Sequence, residues 1–165
     1  MRTVTVVLLG VLVVVAGVLV PRMWFDLRDL RGAEGAGAEA MATARQVAPD
    51  MFSYDYRSVE ADLARAGAYT TGELTRHYKE LTTSLVSKAK AEKTVRTAAV
   101  VDAGVERATP DRVEVLLFVN MVTVKVVPNQ DRPQQQVTQN RARFVMVRQD
   151  GRWLVEGLST LLGTA

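Results

Sequence analysis

The residues of this chain that could do acid–base, nucleophilic or metal chemistry are few and scattered. His77 is the only histidine, and cysteine is absent. A thiol nucleophile, a cysteine-ligated metal and a disulfide framework are therefore excluded. His77 falls inside a helical pattern, one position before the apolar Tyr78, where a histidine is more often structural or solvated than catalytic. A metal site needs several ligands converging, and one histidine without HExxH spacing supplies none. Asp55, Glu60, Asp62 and Glu73 stand at or near expected helix starts, where capping and the helix dipole account for them. There is no GxSxG, no P-loop and no GxGxxG. Gly35-Ala36-Gly37 joins no strand to a helix start and reads as flexibility. The expectation is no catalytic residue, no metal and no cofactor. Tyr54, Tyr56 and Trp153 read as packing aromatics.

Charge narrows the partners. Lys and Arg number 21 against 18 Asp and Glu, a formal net charge of +3. Only Arg2 of these lies in the first 21 residues, so the remainder is nearly balanced. A phosphate-backbone footprint needs clustered positive charge. The most basic stretch, Arg141, Arg143, Arg148 and Arg152, reads as the solvated face of a strand pair. No nucleic acid is expected.

The positioning elements begin with an uncharged apolar run, Val4 to Val20. Its 17 or so residues reach the short end of what crosses a bilayer as a helix. Met23, Trp24 and Phe25 extend it past Pro21, and Trp24 falls where an interfacial aromatic would sit. A cleaved signal peptide is the rival reading, but Val18-Leu19-Val20-Pro21 lacks the small residues of a cleavage site. An uncleaved anchor is expected over residues 1–25, with Val4, Leu8, Val11, Val15 and Leu19 on one face. A stalk or joint follows at 26–37, and an α+β domain over 38–165. Within the joint, Gly32, Gly35 and Gly37 each weaken a helix by about 1 kcal/mol relative to Ala. Helix is expected from Ala38 to Ala48, ended by Pro49.

A second helix is expected from about Arg57 to Ala66, capped by Asp55 or Ser58. A third opens on Thr70-Thr71-Gly72-Glu73, which fits a capping box. It carries Leu74, Tyr78, Leu81 and Leu85 as one apolar stripe, with Lys88, Lys90 and Lys93 near its end. After Thr94 the period changes to two. Strands are expected over Val95–Arg107, Arg112–Val127, Gln135–Gln149 and Arg152–Leu158. Asp150-Gly151 marks a tight hairpin. Helices followed by a strand series imply an α+β fold: about three helices on a curved four-stranded antiparallel sheet. Val115–Val119 is apolar on both faces, so whichever face the helices leave must be covered by something else.

Three stretches carry a resemblance. They are SYDYRSVEADLARAGAYTTGELTRHY (Ser53–Tyr78), VEVLLFVNMVTVKV (Val113–Val126) and NRARFVMVRQDGRWLVEGLSTL (Asn140–Leu161). In this order they resemble the Mce-associated membrane proteins of actinobacteria, whose acronym stands for mammalian cell entry. The resemblance covers nearly the whole chain. It implies one membrane helix and a small extracytoplasmic domain of the nuclear transport factor 2-like fold. It also implies a non-catalytic accessory subunit of lipid- or sterol-importing Mce transporters, with permease or substrate-binding subunits and membrane lipids as partners. Lys and Arg counted alone favour a cytoplasmic domain; the resemblance places the domain on the extracytoplasmic, periplasmic side of the plasma membrane, and that is the side expected.

Two other readings stay open. Tyr78, Leu81, Leu116, Phe118 and Trp153 could line a lipid-binding cone between helices and sheet, or simply fill it. The same fold also hosts isomerases and cyclases, for which His77, Asp102 or Asp55 would supply the acid or base.

Overall fold

The computed structural model describes residues 32–126 and 132–161, apart from the side chains of Leu81 and Leu161. The expected anchor, with Val4, Leu8, Val11, Val15, Leu19 and Trp24, lies outside the described residues. Helix α1 spans residues 32–52. It is followed by β1 (Tyr54–Asp55), α2 (Val59–Gly67), α3 (Gly72–Ala91), β2 (Val95–Ala108), β3 (Arg112–Lys125), β4 (Gln134–Gln149) and β5 (Arg152–Leu161). The strands form one antiparallel sheet in chain order, β1-β2-β3-β4-β5.

Alternation along β3 sets the core. Val113, Val115, Leu117, Val119 and Met121 are buried, and Val115 and Leu117 stand opposite Phe144 and Ala142 of β4. Against this face α1 lays Ala36, Ala40, Ala44 and Ala48, every fourth residue, with Val47 and Met51. Alanines at that spacing share one helix face and let the backbone approach the sheet closely. Phe52 meets the Phe144 ring at 5.8 Å between centroids, tilted by 43°, a favourable aromatic geometry. A second cluster of Tyr54, Val59, Leu63 and Ala89 joins α2 to α3. Bulges in β2 at Val100/Asp102 and Val105/Arg107 add local twist.

The four expected strands are present at close to the expected limits. Asp150 and Gly151 both have positive φ, 49° and 75°, as the two-residue hairpin demands. Four local expectations need correction. The sheet has a fifth strand, the two-residue β1, which is too short to leave a periodic signal. Residues 32–37 are helical where a pliable joint was expected. Ala36 is buried, and Gly37 packs near Val105 and Ala108, so tertiary contact outweighs glycine's weak propensity. Pro49 does not stop α1, which continues to 52 and closes with the Ser53 N–H donating to the Pro49 carbonyl at 3.0 Å. Proline removes one helical bond at some cost, and burial of Met51 and the Phe52–Phe144 contact favour the extra turn.

The capping box is also absent. The Thr70 hydroxyl donates back to the Gly67 carbonyl at 2.7 Å, and Glu73 pairs with Arg76. The cause is tertiary: the Thr71 N–H donates to the Val155 carbonyl at 2.9 Å and the Val155 N–H to the Tyr69 carbonyl at 2.8 Å. That bridge to β5 fixes the backbone before α3. At the other end of α3, Lys93 takes the left-handed φ of 46°. The Thr94 N–H reaches the Ala89 carbonyl at 2.9 Å, a Schellman closure with lysine in the usual glycine place.

Candidate functional site

Because the odd-numbered residues of β3 face α1, Leu116 and Phe118 face away from the helices. Phe118 is 40% exposed, Val101 61% and Val137 62%. Val137 stands opposite Val122, and Arg141 opposite Phe118. Among the described residues nothing packs over this side of the sheet. It carries a groove of about 500 Å³ lined by Val101, Asp102, Phe118, Asn120, Gln139 and Arg141.

Charges edge the groove. Asp102 accepts from Arg45 of α1 at 2.7 Å. Arg143, opposite Leu116, forks onto Glu106. The bond from that guanidinium holds the Glu106 carboxyl below its ordinary value, and the carboxylate raises Arg143 in turn. The lining is mixed: Val101 and Phe118 lie beside Asp102, Asn120, Gln139 and Arg141, a composition suited to protein contact.

The inner side holds a smaller space of about 240 Å³, between the end of α1, α3 and the sheet edge. Met51, Phe52, Leu63, Leu74, Leu85 and Leu158 supply its apolar wall, and His77, Tyr78 and Arg96 also reach it. The Tyr78 hydroxyl donates to the Met51 carbonyl at 3.0 Å. Burial pushes its phenol up to about 12, so it stays protonated and serves as an anchor, not a base.

The expected cone residues do not converge. Tyr78 lines the inner cavity, and the side chain of Leu81 is not described. Leu116 and Phe118 are on the opposite face of the sheet; the cone assignment was wrong for both, because strand alternation turns them outward. Trp153 packs toward α1 instead of the cavity wall. Its Nε1 donates to Glu39 at 3.3 Å, and the Arg148 guanidinium lies 4.9 Å from its ring centroid. The three acid–base candidates are likewise dispersed. His77 borders the inner cavity and Asp102 the outer groove. Asp55 accepts from the Arg57 backbone and side chain at 2.9 and 3.2 Å. Sequence reasoning missed Arg96 and Phe52. Arg96 was findable: two residues before Ala98 in a period-two strand, it must share the inner face.

No family model matches the chain. The uncharacterized protein Rv1362c of Mycobacterium tuberculosis (strain ATCC 25618 / H37Rv), and its counterpart MT1407 in strain CDC 1551 / Oshkosh, are each 28% identical over 128 residues, 77% of this chain. The chain spans 56% of the length of these curated relatives. Among solved structures, a periplasmic fragment of TraM is similar with a TM-score of 0.59 at 16% identity, over 74% of this chain and 95% of that one. CagV, a VirB8 homolog of the Helicobacter pylori type IV secretion system, gives 0.57 at 9%, over 74% and 96%. An Ntf2-like protein involved in plasmid conjugation gives 0.52 at 14%, over 78% and 50%. These likenesses establish the fold: a nuclear transport factor 2-like α+β domain with helices on one side of an antiparallel sheet.

Proposed function

We propose that this chain is a non-catalytic accessory subunit that docks onto or stabilises a multi-protein complex of the cell envelope, and that the complex is an Mce-type lipid or sterol importer. The observation that carries the reading is the outer face of the sheet, on which Phe118, Val101 and Val137 are exposed. Exposed apolar surface of this kind, rimmed by charge, marks interaction sites. The fold agrees with the role, since the TraM fragment is periplasmic and CagV belongs to a secretion system. Residues 1–25 would hold the domain at the membrane, on the extracytoplasmic side.

The competing readings gain less support. The inner cavity of about 240 Å³ falls short of the roughly 300–1,000 Å³ of pockets that hold drug-sized ligands, which argues against a sterol carried whole. The acid–base candidates His77, Asp102 and Asp55 stand in separate places with no shared substrate position, which argues against an isomerase or cyclase.

The test is mild detergent extraction of the tagged full chain from its native membrane, followed by affinity purification. Wild type should bring down transporter permease or substrate-binding subunits, and Phe118→Glu should lose most of them while melting at an unchanged temperature. A monodisperse monomer without partners, or undiminished recovery by Phe118→Glu, would overturn the reading.

A further inference from the structure

The inner face of the sheet changes character along β3. After Met121 the same face continues with Thr123 and Lys125, opposite Gln136 and Gln134. Arg96 stands opposite Thr123, and Tyr54 opposite Arg96. The apolar core therefore ends in a polar, basic patch that faces the last turns of α3. A space of about 170 Å³ opens there, with Lys88, Glu92, Arg96, Thr123 and Lys125 in its walls. It shares Tyr54, Leu85 and Arg96 with the apolar cavity of about 240 Å³, so the two spaces adjoin across those three residues.

Arg96 is the informative residue. It is half-buried. Its guanidinium lies 5.3 Å from the Tyr54 ring centroid, and its Nε donates to the Thr123 hydroxyl at 3.3 Å. Among the described residues no carboxylate lies within ion-pair distance of it. Cations withdrawn from water are ordinarily paired. Glu92, the one carboxylate in the basic space, is directed to Lys125 at 4.0 Å. Lys88, also without an ion-pair partner among the described residues, adds a second available charge. One chamber thus offers hydrocarbon walls, and the adjoining one offers a planar cationic fork suited to a carboxylate or phosphate.

The geometry points to a head-and-tail site for a single-chain anionic amphiphile, its chain against Met51, Phe52, Leu74 and Leu85 and its head on Arg96 and Lys88. At roughly 30 Å³ for each water-sized unit, the apolar chamber accepts about eight methylenes, so the fitting ligand is a medium-chain acid or alkyl phosphate. This site is separate from the outer docking face, and either can fail without the other.

The test uses the full chain in phosphatidylcholine nanodiscs with a diazirine-bearing decanoate as the probe, crosslinked residues being read by mass spectrometry. Labelling should concentrate in residues 51–52 and 74–85, and excess decanoate or decyl phosphate should displace it. Decanol, which has the chain without the charge, should displace it at least tenfold less well. Arg96→Gln should lower site labelling about tenfold and Arg96→Lys should restore part of it. Lys88→Glu, at an exposed position where folding is not at stake, should lower it several-fold. Labelling confined to residues 1–25, competition by decanol equal to that by decanoate, or site labelling unchanged in both Arg96→Gln and Lys88→Glu would overturn the proposal. The competing head groups distinguish a free acid from a phosphate-bearing lipid fragment.

Discussion

Single residues pin the corner where β1 gives way to α2, and Asp62 does most of it. Only 8% exposed, its carboxylate accepts from the Asp55 N–H at 3.0 Å, the Ser58 hydroxyl at 2.9 Å and Arg65 at 2.9 Å. Burial pushes its carboxyl up, but those donors outweigh burial and leave it below the ordinary value. Unfolding returns it to that value, so the stability it lends is complete above about pH 4 and disappears as acid protonates the folded carboxylate. Asp62→Ala should cost about 2 kcal/mol at pH 7. Urea melts should show the gap to wild type narrowing toward pH 2; a gap independent of pH would remove this account. Tyr78 works in the opposite sense. Its raised phenol adds stability that is whole below pH 10 and lost as pH rises through about 12, a decline that Tyr78→Phe should not share.

At the scale of elements, α1 owes its place to small residues. Ala40 and Ala44 have no exposed surface, so Ala44→Leu must force the helix off the sheet and should destabilise by about 1–3 kcal/mol. Gly35 is different: a methyl group there would meet nothing within 4 Å. Gly35→Ala should therefore stabilise by about 0.5–1 kcal/mol through helix propensity alone. Thermal melts of the two variants should move in opposite directions. Were Gly35→Ala to lower the midpoint, the helical state of residues 32–37 would be in question, and the pliable joint would return.

For the molecule as a whole, the proposed complex poses the question of which part would recognise a partner. Small residues let membrane helices approach closely, and Gly10 and Gly17, seven apart in the apolar run, motivate a lateral role for the proposed anchor. Replacing Thr3–Val20 with an unrelated membrane helix of equal length should leave membrane targeting intact and reduce the partners recovered. Full recovery by the swapped chain would assign recognition to the outer sheet face alone. Combining the swap with Phe118→Glu should abolish recovery if both surfaces contribute.

The sequence by itself determined the class of the fold, the four long strands and the Asp150-Gly151 turn, because each rests on local period or composition. It could not say which side of β3 would meet the helices. Both rows of that strand are apolar between Val115 and Val119, so alternation separates the rows without orienting them. Docking of the alanine face of α1 decided it, burying Val115 and Leu117 and sending Leu116 and Phe118 outward. The same long-range packing kept residues 32–37 helical, carried α1 past Pro49 and replaced the capping box by a bridge to Val155. The place of Arg96 on the inner face was legible from the period of β2, but its lack of a carboxylate partner among the described residues emerged only once β1, β2 and β3 were paired, since that is a property of three-dimensional neighbours.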